Sequence, residues 1–404
     1  MAERVVITGL GVVSSVGIGK DAFWNSLTAG KSGISEVGLF DTSKFKRHYA
    51  GEIKDFDPSL FIRESRLKLL GRTSQLAIAA AKLALEDAGV HLKDIRKKET
   101  AIVLGVTMPE GSELEITSEK LLQNEAAKIT AKLLLNDFPP SLSRNVGLFF
   151  KTEGMNVLIP TACAAGNYSI GYGCDLIKQG VVDWAIVGGA ESLSRVAFQG
   201  FQKLYAMAHQ VCAPFDKNRK GMLLGEGAGI LIIESLARAE KRKARIYAEV
   251  LGYGMSCDAF HITIPKRDGI KKAIAKALKN AVVEASDVDY ISAHGTGTVQ
   301  NDKEESAAIK EVFGDSHKSV AVSSIKSMLG HCMGASSSMA AIACCLGMRD
   351  SLIPPTMNFL TPDPECDIDC VPNIARHKEL NTILSNAFAF GGNNCCLVMG
   401  KING

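Results

Sequence analysis

The chain has 404 residues, 46% of them apolar and 22% charged, with a formal net charge of +3. This length supports a large buried core, and the near-balanced charge excludes a global basic field of the kind that binds nucleic acid. No run of about 18 apolar residues marks a membrane span, and MAERVVITGL lacks the regions of a signal peptide, so a cytoplasmic location is expected.

In chain order, residues 5–8 form a β-branched run that reads as a strand, and Gly9-Leu10-Gly11 reads as a tight turn after it. Residues 67–88 carry an alanine-rich helical pattern ended by Gly89. Residues 100–106 read as a buried strand. Residues 110–145 are more polar and helical, read as a cap over the core closed by Pro139-Pro140. A strand at 157–160, a helix at 164–178 and strands at 184–187 and 229–234 complete the first half.

A basic connector follows, with Arg238, Lys241, Arg242, Lys243 and Arg245, read as a solvated face. The pattern then restarts: strand 246–253, helix 270–285, strand 288–293, helix 302–313, strand 320–323, small-residue helix 336–348 and strands 382–387 and 395–399. Such alternation predicts an α/β protein with parallel sheets covered by helices. Two halves of similar rhythm, 1–240 and 241–404, predict a duplicated α/β unit packed as one body.

Two nucleotide-like motifs fail on inspection. Gly9-Leu10-Gly11 lacks the third glycine of a dinucleotide turn, and Gly30-Lys31-Ser32 has Asn25 where a phosphate loop needs glycine. The 11 cysteines do not have zinc-ligand spacing: Cys344–Cys345 and Cys395–Cys396 are adjacent pairs, and Cys366 and Cys370 have no matching second pair. Without an export signal they read as free thiols in a reducing compartment, most of them small core residues, and no metal is expected.

One cysteine stands apart. In Ile159-Pro160-Thr161-Ala162-Cys163-Ala164-Ala165-Gly166 an apolar strand runs into a helix of small residues with the thiol at the turn. Helix N–H groups there favour a thiolate, lowering its pKa, and can hold an oxyanion. A cysteine at a strand end, taken alone, is more often structural. Two further strand ends alter that balance. His294 stands in Ser292-Ala293-His294-Gly295-Thr296-Gly297-Thr298, and Lys326 and His331 in Ser324-Ile325-Lys326-Ser327-Met328-Leu329-Gly330-His331. Cys, His and His with a nearby lysine suit a thiolate that takes an acyl group and two imidazoles that grip an enolate-like oxygen. The other six histidines read as structural, with His261 the least settled.

With those motifs in place, the chain resembles the elongating β-ketoacyl-(acyl-carrier-protein) synthases of dissociated, type II fatty acid synthesis, on the thiolase-type fold. RVVITGLGVVSSVG, TAGKSGIS, the TAC turn, VGGAES, PFDKNRKGMLLGEGAGIL, AHGTGT, SSIKSMLGHCMGAS and AFGGNN carry the resemblance, in order along nearly the whole chain. It implies a layered α-β-α-β-α core, decarboxylative Claisen condensation with malonyl-ACP, and no dissociable cofactor, substrates being carried on the phosphopantetheine of the carrier protein. Cys163 would be the acylated nucleophile, with His294 and His331 binding the malonyl carbonyl. Lys326 would hold the histidine region, against Glu305. Phe390 would be the gate, its N–H completing an oxyanion hole with that of Cys163. Thr296 and Thr298 would touch the phosphopantetheine arm. An acidic carrier protein would dock partly on Arg63, Arg66, Lys68 and Arg72, and the chain would form a homodimer or a heterodimer with a related subunit.

Departures from the family pattern cluster around the acyl pocket. They are Ala389 before Phe390, the segment Gly105-Val106-Thr107-Met108-Pro109-Glu110, Ala164-Ala165 after the nucleophile, and Val299-Gln300-Asn301 after Thr298. They bear on the acyl chain, with Met108 and Ala389 as the residues to watch, and favour a polyketide, polyene or aromatic-primed pathway as a rival to fatty acid elongation. Retained Cys163, His294 and His331 argue against a non-catalytic chain-length-factor subunit. Cys395 and Cys396 lack the Cys-x-Gly context of a thiolase, and the Lys326-to-His331 segment argues against an initiating synthase.

Overall fold

The computed structural model describes residues 3–95, 100–138 and 140–402. Along the chain the principal elements are β1 (Val5–Ser14), α1 (Arg72–Asp87), β2 (Thr100–Gly105), β3 (Asn156–Ile159), α2 (Ala165–Lys178), β4 (Trp184–Glu191) and β5 (Gly227–Ser235). The second half supplies β6 (Ala248–Cys257), α3 (Arg267–Ala281), β7 (Tyr290–Ser292), α4 (Val299–Phe313), β8 (Ala321–Ser323), α5 (Ser336–Asp350), β9 (Thr382–Phe388) and β10 (Asn393–Gly400).

Hydrogen bonding links the strands in the order β8-β7-β9-β10-β6-β1-β5-β4-β2-β3, with the short strand Gly17–Ile18 folded onto β1. Each half has the same internal order, and they meet where β1 pairs with β6 through Val6 with Glu249 and Ile7 with Ala248. The expected duplication is therefore visible as topology. The sheet is mixed rather than parallel. β2 runs parallel to β3 and β4, and β7 to β8 and β9, while β5 and β10 close each half antiparallel. Residues 389–392 alone join β9 to β10, too short for a crossover, so that pair forms a hairpin.

Helices α2 and α5 touch strands of both halves, and α5 is buried from Ser336 to Met348. Its Ser, Ala and Cys side chains are what lets a helix sit between two strand layers. Helix α1 covers β1, β5 and β4 from outside, and α3 covers β6 and β10. The layers are thus helix, strand, helix pair, strand, helix.

The turn expected at Gly9-Leu10-Gly11 is absent, because β1 continues through it to Ser14. Those glycines serve a close approach: a Cβ on Gly11 would lie 1.9 Å from the Ala80 carbonyl oxygen of α1, and one on Gly9 2.3 Å from that of Ala84. Gly89 ends the long helix as expected, at φ +64°. The helix itself begins only at Arg72, after the separate short helix Glu64–Leu67.

The segment 110–145 is not one cap. Gly111–Leu122 and Ala131–Asp137 lie on the outside, whereas Ser141–Phe150 buries Leu142, Val146 and Phe150 against α1. Pro140 opens that last helix instead of closing the segment, since proline is tolerated at a helix start. Pro139 lies outside the described residues. The basic connector is also more than a solvated face, for Arg238 and Arg242 fold back onto the buried Glu234 carboxylate.

Candidate active site

The site forms where strand ends of both halves meet the central helix pair, the place where α/β sheets bind ligands. Cys163 follows β3 and Lys326 and His331 follow β8, so they occupy equivalent connections, each leading into a central helix. His294 follows β7 and Phe390 follows β9. Cys163, His294, His331, Thr296, Thr298, Ala389 and Phe390 line one cavity of about 380 Å³.

Cys163 is 4% exposed and lies just before α2. Ala162, immediately before it, takes φ +51°, a left-handed conformation costly for alanine. Burial pushes the Cys163 thiol up to about 11, while the Lys326 charge and the N–H groups of Phe390 and Cys163 pull it down. The lowered pKa expected from the helix terminus is thus outweighed by desolvation, and the resting group is a thiol.

The two histidine rings stand 5.4 Å apart, edge to face. Burial, then the Lys326 charge, hold both well below the usual imidazole range, so both are neutral. His331 Nδ1 lies 2.8 Å from Ser336 Oγ, and its buried Nε2 has no partner among the described residues.

His294 is gripped through its backbone from two sides. Glu305 accepts from the N–H groups of His294 and Gly295, each at 2.8 Å, and Lys326 Nζ donates to the His294 carbonyl oxygen at 2.6 Å. The expected Lys326–Glu305 pair is therefore not a direct contact; the two charges act on the same peptide unit from either end. Burial raises Glu305 to about 7 and lowers Lys326. Asn301 and Asn386 add donors to Glu305.

The Thr296 and Thr298 hydroxyls are 2.9 Å apart and face the cavity together. Their loop is held from beneath by Asp302, which accepts from the Gly297 and Phe215 N–H groups, and by buried Arg219, which donates to the Thr298 and Val299 carbonyls. Phe390 packs on Phe201 at 5.6 Å, closing one wall. Ala389 sits at φ −107° and ψ 151°, ordinary for alanine, while Gly391 and Gly392 take φ near +80°. The alanine strains nothing in this arrangement.

Other expectations fare differently. Met108 does not line the cavity; its N–H donates to the buried Glu191 carboxylate and its sulfur lies 3.8 Å from Ser194 Oγ. Arg72 is occupied by an ion pair with buried Glu226, and so is withdrawn from any docking surface. Arg66 donates to the Leu148 carbonyl and Lys68 pairs with Glu64, both exposed. His261 lines the cavity mouth, where its Nδ1 accepts from the Thr263 and Ile264 N–H groups. All 11 cysteines are free and all but Cys257 are buried. Ser336, Phe201, Arg219 and Asp302 were not identified from sequence; their roles come from partners far apart in the chain.

Two family models match the chain: "Beta-ketoacyl synthase, N-terminal domain" over residues 2–239 and "Beta-ketoacyl synthase, C-terminal domain" over 247–360. The chain is 37% identical to "3-oxoacyl-[acyl-carrier-protein] synthase 2" of Coxiella burnetii, covering 99% of both chains. It is 37% identical to the protein of that name from Staphylococcus aureus strain N315, over 99% of this chain and 98% of the other. Among solved structures it is similar to "The ishigamide ketosynthase/chain length factor", at 44% identity and TM-score 0.97 with both chains fully covered. It is also similar to a type II polyketide ketosynthase in complex with its acyl-carrier protein, at 31% identity and TM-score 0.90, again over both full chains.

Proposed function

The chain belongs to the β-ketoacyl synthase family and catalyses the condensation of an acyl group with malonyl-ACP, and we propose that Cys163, His294, His331 and Lys326 carry that reaction. The observation that supports this assignment is the convergence of one thiol and two neutral imidazoles on a single cavity.

In the first half-reaction the Cys163 sulfur attacks the acyl thioester, and its proton leaves with the departing pantetheine thiol. The Cys163 and Phe390 N–H groups hold the tetrahedral oxyanion. Malonyl-ACP then enters past Thr296 and Thr298. Its C–CO₂ bond breaks, carbon dioxide leaves, and the electron pair becomes an enolate whose oxygen the two imidazoles bind. The enolate carbon attacks the acyl carbon, the C–S bond breaks, and Cys163 leaves as thiolate. The thiolate then takes up a proton from water, as the raised pKa of this buried group favours.

The partner is an acyl carrier protein, met in part by exposed Arg63, Arg66 and Lys68, and the chain functions as a dimer. Two features support protein–protein contacts: β3 ends the sheet with no partner on its outer edge among the described residues, and Leu121, Leu122, Leu134, Leu135 and Phe138 are exposed. A specialised polyketide pathway stands beside housekeeping elongation as a second reading, supported by the likeness to a ketosynthase/chain length factor and to a type II polyketide ketosynthase. Its pairing would then be with a related subunit.

The direct test is intact-mass measurement after mixing with acyl-loaded carrier protein. The wild type gains one acyl group and Cys163→Ala gains none; an adduct surviving that substitution would sink the assignment.

A further inference from the structure

Ser336 opens α5 and is buried beside the catalytic cavity. Its hydroxyl makes one hydrogen bond among the described residues, to His331 Nδ1 at 2.8 Å. Nearby serines behave otherwise: Ser338 donates to the Ala335 carbonyl and Ser327 to that of Ser324, as helical serines commonly do. The Ser336–His331 contact has two arrangements with different chemistry. If Nδ1–H donates to Oγ, the serine proton is buried without an acceptor, and Nε2 presents a lone pair to the cavity. If Oγ–H donates to Nδ1, both atoms are satisfied, and the buried Nε2 carries the hydrogen. The first arrangement leaves both the serine donor and the Nε2 acceptor unmet, whereas the second leaves only Nε2–H, on a ring that lines the cavity. Since each unmet buried group costs about 1–3 kcal/mol, the second arrangement prevails. Only that tautomer suits a developing enolate oxygen, which a lone pair would repel.

We infer that Ser336 is a positioning residue for the condensation, its hydroxyl fixing the tautomer and tilt of His331 so that Nε2–H meets the malonyl thioester oxygen. This rests on the role given to His331 above. In the step it supports, the malonyl C–CO₂ bond breaks and the electron pair moves to the thioester oxygen, which accepts from Nε2–H. No proton leaves His331, and none needs to be supplied.

The same hydrogen bond keeps His331 neutral, because a donor occupies the nitrogen that would take the proton. Lys326 from the preceding turn acts in the same sense. The other titratable groups packed around it are His294 from β7, Cys163 from the β3–α2 turn, Glu191 through the Gly334 N–H, and Glu226, which Arg72 neutralises.

The test uses the full chain with Cys163 first acylated from butyryl-loaded carrier protein, then mixed with malonyl-loaded carrier protein, carbon dioxide release and product being followed across pH. Ser336→Ala is expected to slow the single turnover by about tenfold or more, short of the loss of a whole oxyanion donor. Its acid limb moves to higher pH, because Nδ1 is open to protonation. Ser336→Thr, which keeps the hydroxyl, restores both. Acylation of Cys163, which does not run through His331, reports that each variant is folded. An unmoved acid limb and a wild-type rate in Ser336→Ala overturn the inference, as does equal loss in the threonine and alanine variants. Neither result touches the nucleophile, which stands or falls on the Cys163→Ala adduct.

Discussion

Replacing Lys326 by methionine keeps the length of the side chain and removes its charge, and three consequences follow from where Nζ lies. The first is the loss of its 2.6 Å bond to the His294 carbonyl, a charged donor on a buried acceptor. Such bonds contribute about 1.5–3 kcal/mol, which corresponds to about a ten- to hundredfold fall in condensation if the whole effect is felt in the transition state. Second, the cation that helps hold His294 and His331 neutral is gone, so both rise from their depressed values. The condensation step needs them unprotonated, and its acid limb therefore moves to higher pH. Third, Lys326 lowers the Cys163 thiol against the larger effect of burial, so without it that group climbs further and acylation slows at every pH below its titration. Single-turnover acylation and condensation, each run from pH 5 to 9, separate these effects. A Lys326→Met enzyme whose rates and acid limb both match the wild type would refute the argument, since Lys326 is the one charge that lowers both histidines, His331 adding only to the shift of His294.

Two further outcomes test the scaffold around the site. Gly11→Ala places a Cβ 1.9 Å from a backbone oxygen of α1, which no rotamer relieves, so urea unfolding should show a loss of about 3 kcal/mol or more. Gly200→Ala, in the helix Arg195–Lys203 with open space at its Cβ, should instead be neutral or stabilising by up to about 1 kcal/mol, and a similar cost at both positions would discredit the close-approach reading. Glu110 caps α1 through the Thr73 and Ser74 N–H groups, and burial raises it to about 7. Because its folded pKa lies above the unfolded one, its contribution is complete below about pH 4.5 and is lost as pH rises through about 7. Melting temperatures of wild type and Glu110→Gln should therefore diverge in favour of the glutamine between about pH 4.5 and 7 and run parallel above; a constant difference throughout would show that Glu110 is ionised in the folded state across that range.

What the sequence disclosed and what it withheld follow from one physical division. Cys163, His294, Lys326 and His331 were legible because each stands at the end of an apolar strand, before a turn of small residues, and strand ends are where such folds gather reactive groups. Glu305 was legible only as a family carry-over, and its true partners, two backbone N–H groups, leave no trace in residue spacing. The misread turn at Gly9-Leu10-Gly11 has the same origin. Glycine marks freedom of the backbone and also close approach to another element, and only α1, some 60 residues later, decides between them. The thiol pKa was misjudged for a related reason, since a helix terminus is local and burial is not. Ser336 extends the point into the chemistry. It was read as one small residue in a helix of small residues, yet it is five positions from His331 and faces its ring. Small side chains at a layered helix interface do two things at once, letting backbones approach and leaving single hydroxyls beside buried polar groups. In a core of this kind the serines that do not bond their own helix are the ones to test for a role in catalysis.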